Sequence, residues 1–225
     1  MSEHDHDHDH EHEHEHEHEH GHDHEHEHEH EHGEEAERRE AEREARRRIA
    51  LAQVRQYPDP VLRLRANEVE TFDDDLARLV ERMKALMVDA NGVGLAGTQV
   101  GILRRLFVFR PDEGEIVAVV NPELAVRGDE RVSDEEGCLS LQGVLVPVER
   151  ATAVTLTGVD ETGAPLRLDL DDHAARIAQH ELDHLDGVLM FDRMTPEQRK
   201  EALAEWRRLQ TEPVAEPKKR RLRLG

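Results

Sequence analysis

The residues with the plainest capacity for chemistry stand together in Gln179–Gly187, QHELDHLDG. His180 and His184 are four apart, which on a helix puts both imidazoles on one face about one turn from each other. Two ring nitrogens so placed can converge on a single metal ion, and Glu181 beside them can move protons to and from water on that ion. The string HExxH is short enough to occur by chance, and its bland alternative is a pair of surface histidines on a polar helix. The rest of the chain has to decide between them.

A catalytic site of this kind takes three protein ligands and keeps a position open for water. The metzincin pattern HExxHxxGxxH is followed as far as Gly187 and fails at Met190, a poor ligand for a hard or borderline ion. Glu197 and Glu201 lie downstream, with little chain left to place them. Upstream, Cys138 in EGCLSL is the only cysteine. A thiolate is a strong ligand for Fe(II) or Zn, although a lone cysteine is often just a small buried hydrophobe. Gly137 before it and Ser140 after it favour a tight loop there. An oxyanion also needs a donor, and GVGLAGTQVG, Gly92–Gly101, offers one side-chain amide, Gln99, where backbone can approach a substrate closely. The same segment has GxGxxG form, but it follows a helix pattern and lacks a phosphate loop's lysine, so a nucleotide reading is weak.

These groups must be carried by elements that the pattern also indicates. Asp73–Asn91 reads as an amphipathic helix, with Leu76, Leu79, Val80, Met83, Leu86, Met87 and Ala90 in 3.6 period and Gly92 as its stop. Tyr57-Pro58-Asp59-Pro60 is a turn. Strand-like runs follow at 106–110 and 116–121, a loop from Arg127 to Glu136 leads into EGCLSL, and alternating runs lie near 144–149, 152–159 and 165–170. The second long helix starts at Asp171 or Asp172 and carries the histidines. Ala174, Ala178, Leu182 and Leu185 line one flank of it, and Ile177, His180 and His184 the next. Thr195-Pro196-Glu197-Gln198 has capping-box form and opens a last helix to about Gln210.

Composition bounds the rest. Net charge is −22, of which −16 falls in residues 1–35, so the other 190 residues are only mildly acidic. From Glu3 to His32 nearly every second residue is His, alternating with Asp or Glu, and residues 1–33 should be a disordered tail able to take up extra metal ions. Glu34–Arg48 alternates acid, Ala and Arg and should be a solvated helical linker. The globular domain is expected over 49–211, and 212–225 is a basic tail that could touch ribosomal RNA phosphates. One cysteine precludes an intrachain disulfide and fits a reducing compartment, and no run suits a membrane span or signal peptide, so a cytoplasmic location is expected.

Taken together, the three segments resemble those of peptide deformylase, a family that carries GφGLAA(P/T)Q, EGCLS and QHExDHLxG in this order; here they stand as GVGLAGTQVG, EGCLSL and QHELDHLDG over roughly residues 49–210. The resemblance implies one divalent metal ion on Cys138, His180 and His184, Fe(II) in the cell and replaceable by Zn, Ni or Co. It implies hydrolysis of the N-formyl group of a nascent polypeptide's formyl-methionine by metal-bound hydroxide, with Glu181 as general base and then acid. Gln99 and the backbone N–H of Leu139 would hold the oxyanion. Glu136 and Arg150 match charged positions of the family and should pair behind the ligands. Gly94 and Gly137 would leave room for an extended substrate, and Val93 and Ile177 would wall the methionine pocket. Gly97 and Gln142 depart from the family's usual alanine and proline, which should loosen those two loops. The expected fold is α+β, small and mostly antiparallel sheets packed around the HExxH helix. A metalloprotease or other metal-dependent amidase, and a metal-storage protein built on the His-rich tail, are the alternatives.

Overall fold

The computed structural model describes residues 23–111 and 114–211. The chain divides into two compact units, Met1–Glu42 and Arg43–Gly225. A helix, α1, runs Asp23–Leu51. In the first unit it carries ion pairs between Arg39 and Glu35 at 2.6 Å and between Arg38 and Glu42 at 3.9 Å, the four-residue spacing that lets opposite charges meet on a helix. The helix takes in residues 23–33, which the composition had assigned to a disordered tail, along with the expected linker. The rest of that tail, 1–22, and the basic tail, 212–225, lie outside the described residues.

In the second unit, α2 spans Asp74–Asp89, and its Asp73 cap accepts the Leu76 N–H at 3.0 Å. Its apolar stripe is buried as the periodicity requires, with Leu76, Val80, Met83 and Met87 at most 1 % exposed. The stop differs in detail from the expectation. Asn91 takes the left-handed conformation at φ 58°, and the Gly92 N–H closes on the Met87 carbonyl at 2.9 Å.

Five strands form one antiparallel sheet in the order β1-β2-β3-β6-β7: β1 Gly94–Ala96, β2 Leu106–Phe109, β3 Val117–Val126, β6 Ala153–Val159 and β7 Pro165–Asp171. The remaining two, β4 Arg131–Gly137 and β5 Leu145–Ala151, make a separate antiparallel hairpin. The expected loop from Arg127 to Glu136 is thus largely strand. All but one of the β4 residues are exposed, so no buried alternation marks it, and cross-strand pairing with β5 supplies the order instead.

The helix α3, Asp172–Leu185, packs against β1, β2, β5, β6 and β7. The α+β class is therefore as expected. Ala175, Ile177, Ala178 and Leu185 join Phe107, Phe109, Val119 and Leu156 in one core, while Ala174 and Leu182 of the expected flank are only half-buried. Arg176, Glu181, Asp183 and His184 are buried as well, so this is a helix enclosed on more than its apolar stripe. The last helix, α4 Pro196–Thr211, is held by Trp206 edge-on to Tyr57, which in turn meets Phe191 edge-on.

Gly97 begins a short 3-10 turn, Gly97–Val100, and is buried. A Cβ there would lie 2.8 Å from the Arg104 carbonyl oxygen and 3.0 Å from that of Ile102. The glycine therefore permits a close backbone approach and does not loosen the loop. Gly97→Ala should lower stability by about 1–3 kcal/mol, as overpacking against backbone does; an unchanged denaturant midpoint would show that the two segments can move apart freely.

Candidate active site

Three elements bring the chemistry together. β4 ends at Gly137 and passes directly into a turn, Cys138–Leu141, closed by the Leu141 N–H on the Cys138 carbonyl at 3.0 Å. The Ser140 N–H also points at the Cys138 sulfur, 3.4 Å away. α3 presents His180 and His184 one turn apart, their rings edge to face with centroids 4.9 Å apart. Cys138 Sγ lies 3.2 Å from His184 Nε2, and ligand atoms of Cys138, His180 and His184 all lie within 4.8 Å of one another. A tetrahedral ion with metal–sulfur and metal–nitrogen bonds of ordinary length separates its ligand atoms by about 3.5 Å, so this donor set fits one divalent ion.

Behind these three residues stands a buried ionic network. Arg150 grips Glu136 with two hydrogen bonds, Nε at 2.9 Å and Nη2 at 3.0 Å, and reaches Asp183 on α3 with Nη1 at 2.6 Å. Arg176 donates to Glu136 at 2.8 Å and to the Val148 and Val132 carbonyls. His180 Nδ1 bonds Glu136 Oε2 at 2.9 Å, which directs its other nitrogen toward Cys138. Glu136 and Arg150 thus pair as the sequence led one to expect. Arg176 and Asp183 were missed, although Arg176 sits four residues before His180 and Asp183 lies inside the motif itself.

The charges follow from these contacts. Burial works to raise the Glu136 carboxyl, but the hydrogen bonds and charges of His180 and Arg150 outweigh it and hold it down at about 2. Burial would lower His180, yet its bonds to Cys138 and Glu136 hold it well above the usual histidine range. His184 is pushed well down, by burial and then by the positive charge on His180. Burial lifts Glu181 to about 7; the Glu136 charge adds to that rise, while His180 and Arg150 oppose it. Its Oε2 is buried and has no hydrogen-bond partner among the described residues.

Gln99 is fixed from its own turn. Its Oε1 accepts the Ala96 N–H at 2.8 Å, which turns the amide NH2 toward Ser140 Oγ at 3.2 Å and Cys138 Sγ at 3.6 Å. Gly94 lies against Glu181: a Cβ there would fall 2.3 Å from Glu181 Oε1. Val93, Gly94, Gln99, Glu136, Gly137, Cys138, Leu139, Ile177, His180 and Glu181 all line one cavity of about 430 Å³. His184 sits deeper, at 1 % exposure, and Arg150 lies behind Glu136.

The comparison with known sequences decides the family. The polypeptide deformylase family model matches residues 51–200. The chain belongs to that family. Among its relatives, the peptide deformylase of Acidothermus cellulolyticus is 44 % identical over 163 residues, covering 70 % of this chain and 89 % of the relative. That of Thermotoga maritima is 43 % identical over 147 residues, 65 % of this chain and 89 % of the relative. The inhibitor complex of Arabidopsis thaliana peptide deformylase 1B superposes with a TM-score of 0.66 at 38 % identity, covering 70 % of this chain and 89 % of that one. The Thermotoga maritima crystal structure does so with 0.61 at 43 % identity, covering 64 % and 97 %. The deformylase match spans every residue of the cavity wall named above.

Removing the guanidinium leaves the buried Glu136 and Asp183 carboxylates each short of a partner. Arg150→Ala should therefore destabilise the chain by about 3 kcal/mol or more; Arg150→Lys should cost less, because the ammonium keeps the positive charge, but still something, because it cannot grip both Glu136 oxygens at once. Urea denaturation of the metal-free chain measures both, and equal midpoints for wild type and Arg150→Ala would contradict the network.

Proposed function

We infer that the cavity holding Cys138, His180 and His184 is where this chain hydrolyses its substrate. It is a metal-dependent hydrolase that removes the N-formyl group from the N-terminal formyl-methionine of new polypeptides and releases formate. The observation that carries the site assignment is the convergence of one sulfur and two imidazoles within 4.8 Å, with a partnerless buried carboxylate oxygen on the same cavity.

A divalent ion on that triad, Fe(II) in the cell with Zn, Ni or Co as substitutes, would supply Lewis acidity that polarises the formyl oxygen and acidifies water. The chain's own residues do the rest. Glu181, lifted to about 7 by burial, takes the water's proton on its partnerless oxygen as the formyl carbon is attacked. Gln99 Nε2 and the Leu139 N–H donate to the oxyanion, the former already aimed by Ala96. Glu181 then returns the proton to the amide nitrogen, so that the C–N bond breaks to formate and a free amino terminus. Val93, Gly94, Gly137 and Ile177 bound the space for the methionine and the chain that follows it. Glu136, with Arg150, holds His180 in the ring orientation that ligation needs.

The catalytic domain in this reading is residues 49–211, with residues 34–48 as its charged linker. No helix among the described residues is long and apolar enough to cross a membrane, and the lone half-buried thiol supports a reducing, cytoplasmic setting. The alternating His and Asp or Glu of residues 1–33 suit uptake of extra metal ions, and the Lys and Arg of 212–225 suit contact with ribosomal RNA phosphates.

Glu181→Gln should lower kcat for formate release from a formyl-Met tripeptide by roughly 10²–10⁴-fold while the triad still takes up metal. Gly94→Ala, whose new Cβ displaces the Glu181 carboxylate, should also lose activity by at least tenfold in a folded protein. Turnover at the wild-type rate in Glu181→Gln would remove the acid–base role. Cys138→Ala should abolish turnover at any metal tested, through loss of the sulfur ligand.

A further inference from the structure

The last turns of α1 form part of the catalytic cavity's wall. Arg47 and Leu51 line it together with Cys138, His180 and Glu181. The same two residues and Gln142 also line an adjoining groove of about 390 Å³, completed by Glu44, Arg48, Ala52 and Gln56. Cavity and groove therefore meet at Arg47, Leu51 and Gln142. Gln142 is the position where the sequence departs from the family's proline, and its side chain is half-buried between the two spaces.

The groove is locally cationic although the chain as a whole is acidic. Its charged lining is Arg47 and Arg48 against Glu44 alone. Neither arginine has a carboxylate within ion-pair distance among the described residues, and Arg47 is exposed. The other arginine of the cavity, Arg176, is already bound to Glu136 at 2.8 Å. Glu135 on β4 is the exposed acid on the cavity rim, and it does not line the groove.

We propose that Arg47 is a specificity-determining residue: with the formyl-methionine in the cavity, the chain beyond it enters the groove, and Arg47 favours an acidic side chain at the third residue. This rests on the deformylase reading of the cavity. A cation that no carboxylate among the described residues satisfies attracts a substrate carboxylate and repels a lysine, with the modest strength of an exposed pair and the salt sensitivity that goes with it.

The test uses the full metal-loaded chain and two amidated peptides, formyl-Met-Ala-Glu and formyl-Met-Ala-Lys, with formate release as the readout. At low salt the wild type should prefer the Glu peptide in kcat/KM by about 3–10-fold, mainly through KM. The ratio should shrink toward one in 0.5 M salt, fall to about one in Arg47→Gln, and invert in Arg47→Glu. Because each ratio is taken within one protein, general damage from the substitution cancels. A wild-type ratio near one, a ratio preserved in both variants, or equal loss on both peptides would overturn the proposal and leave Arg47 as scaffold. No formate from either peptide with the wild type would instead sink the deformylase reading itself.

Discussion

A carboxylate taken out of water needs compensating charge, and the arrangement of this fold around Glu136 follows from that requirement. Its two oxygens receive Arg150, Arg176 and His180, and only 5 % of the residue is exposed. The partners come from different places: Glu136 and Arg150 from the two strands of the hairpin, Arg176 and His180 from α3. The network therefore couples the strand that leads into Cys138 to the helix that carries both histidines. A pair of this kind adds little net stability over an apolar core, yet breaking it exposes the full desolvation penalty. Its contribution is geometric, setting one sulfur against two imidazoles.

The same burial governs the reactive groups. Burial lifts Glu181 to about 7, and its Oε2 has no hydrogen-bond donor among the described residues. That oxygen pair fits beside β1 only because residue 94 has no side chain. Gln99 is oriented by its own turn, independently of the ionic network. The ionic network and the Gln99 turn meet at Cys138, whose sulfur lies 3.6 Å from Gln99 Nε2.

Much of the site was legible in the sequence because its groups lie in short strings with fixed local geometry. His180, Glu181 and His184 needed only the pitch of a helix, and Cys138 only its uniqueness and its turn-forming neighbours. The amphipathic α2 and the three later strands followed from periodicity. The strand β4 was not legible, because SDEE carries no apolar alternation and is ordered by its partner across the hairpin. Arg176 and Asp183 were passed over because charged residues on a helix read as solvent-facing, and only the tertiary encounter with Glu136 and Arg150 buries them. Gly97 was read as a source of flexibility when the close approach of the 102–106 backbone requires it. Arg47 looked like part of a solvated linker, since no pattern in the sequence says that the last turns of α1 border the cavity.

The claim on which the account turns is that one thiolate and two imidazoles, braced through Glu136, form a single metal site. X-ray absorption on anaerobically prepared chain carrying one equivalent of Fe(II) or less tests this most directly. The account predicts one sulfur scatterer at about 2.3 Å with nitrogen or oxygen neighbours near 2.1 Å, and loss of the sulfur shell in Cys138→Ser. A shell of nitrogen and oxygen alone in the wild type would contradict it, because the ion would then sit elsewhere on the chain.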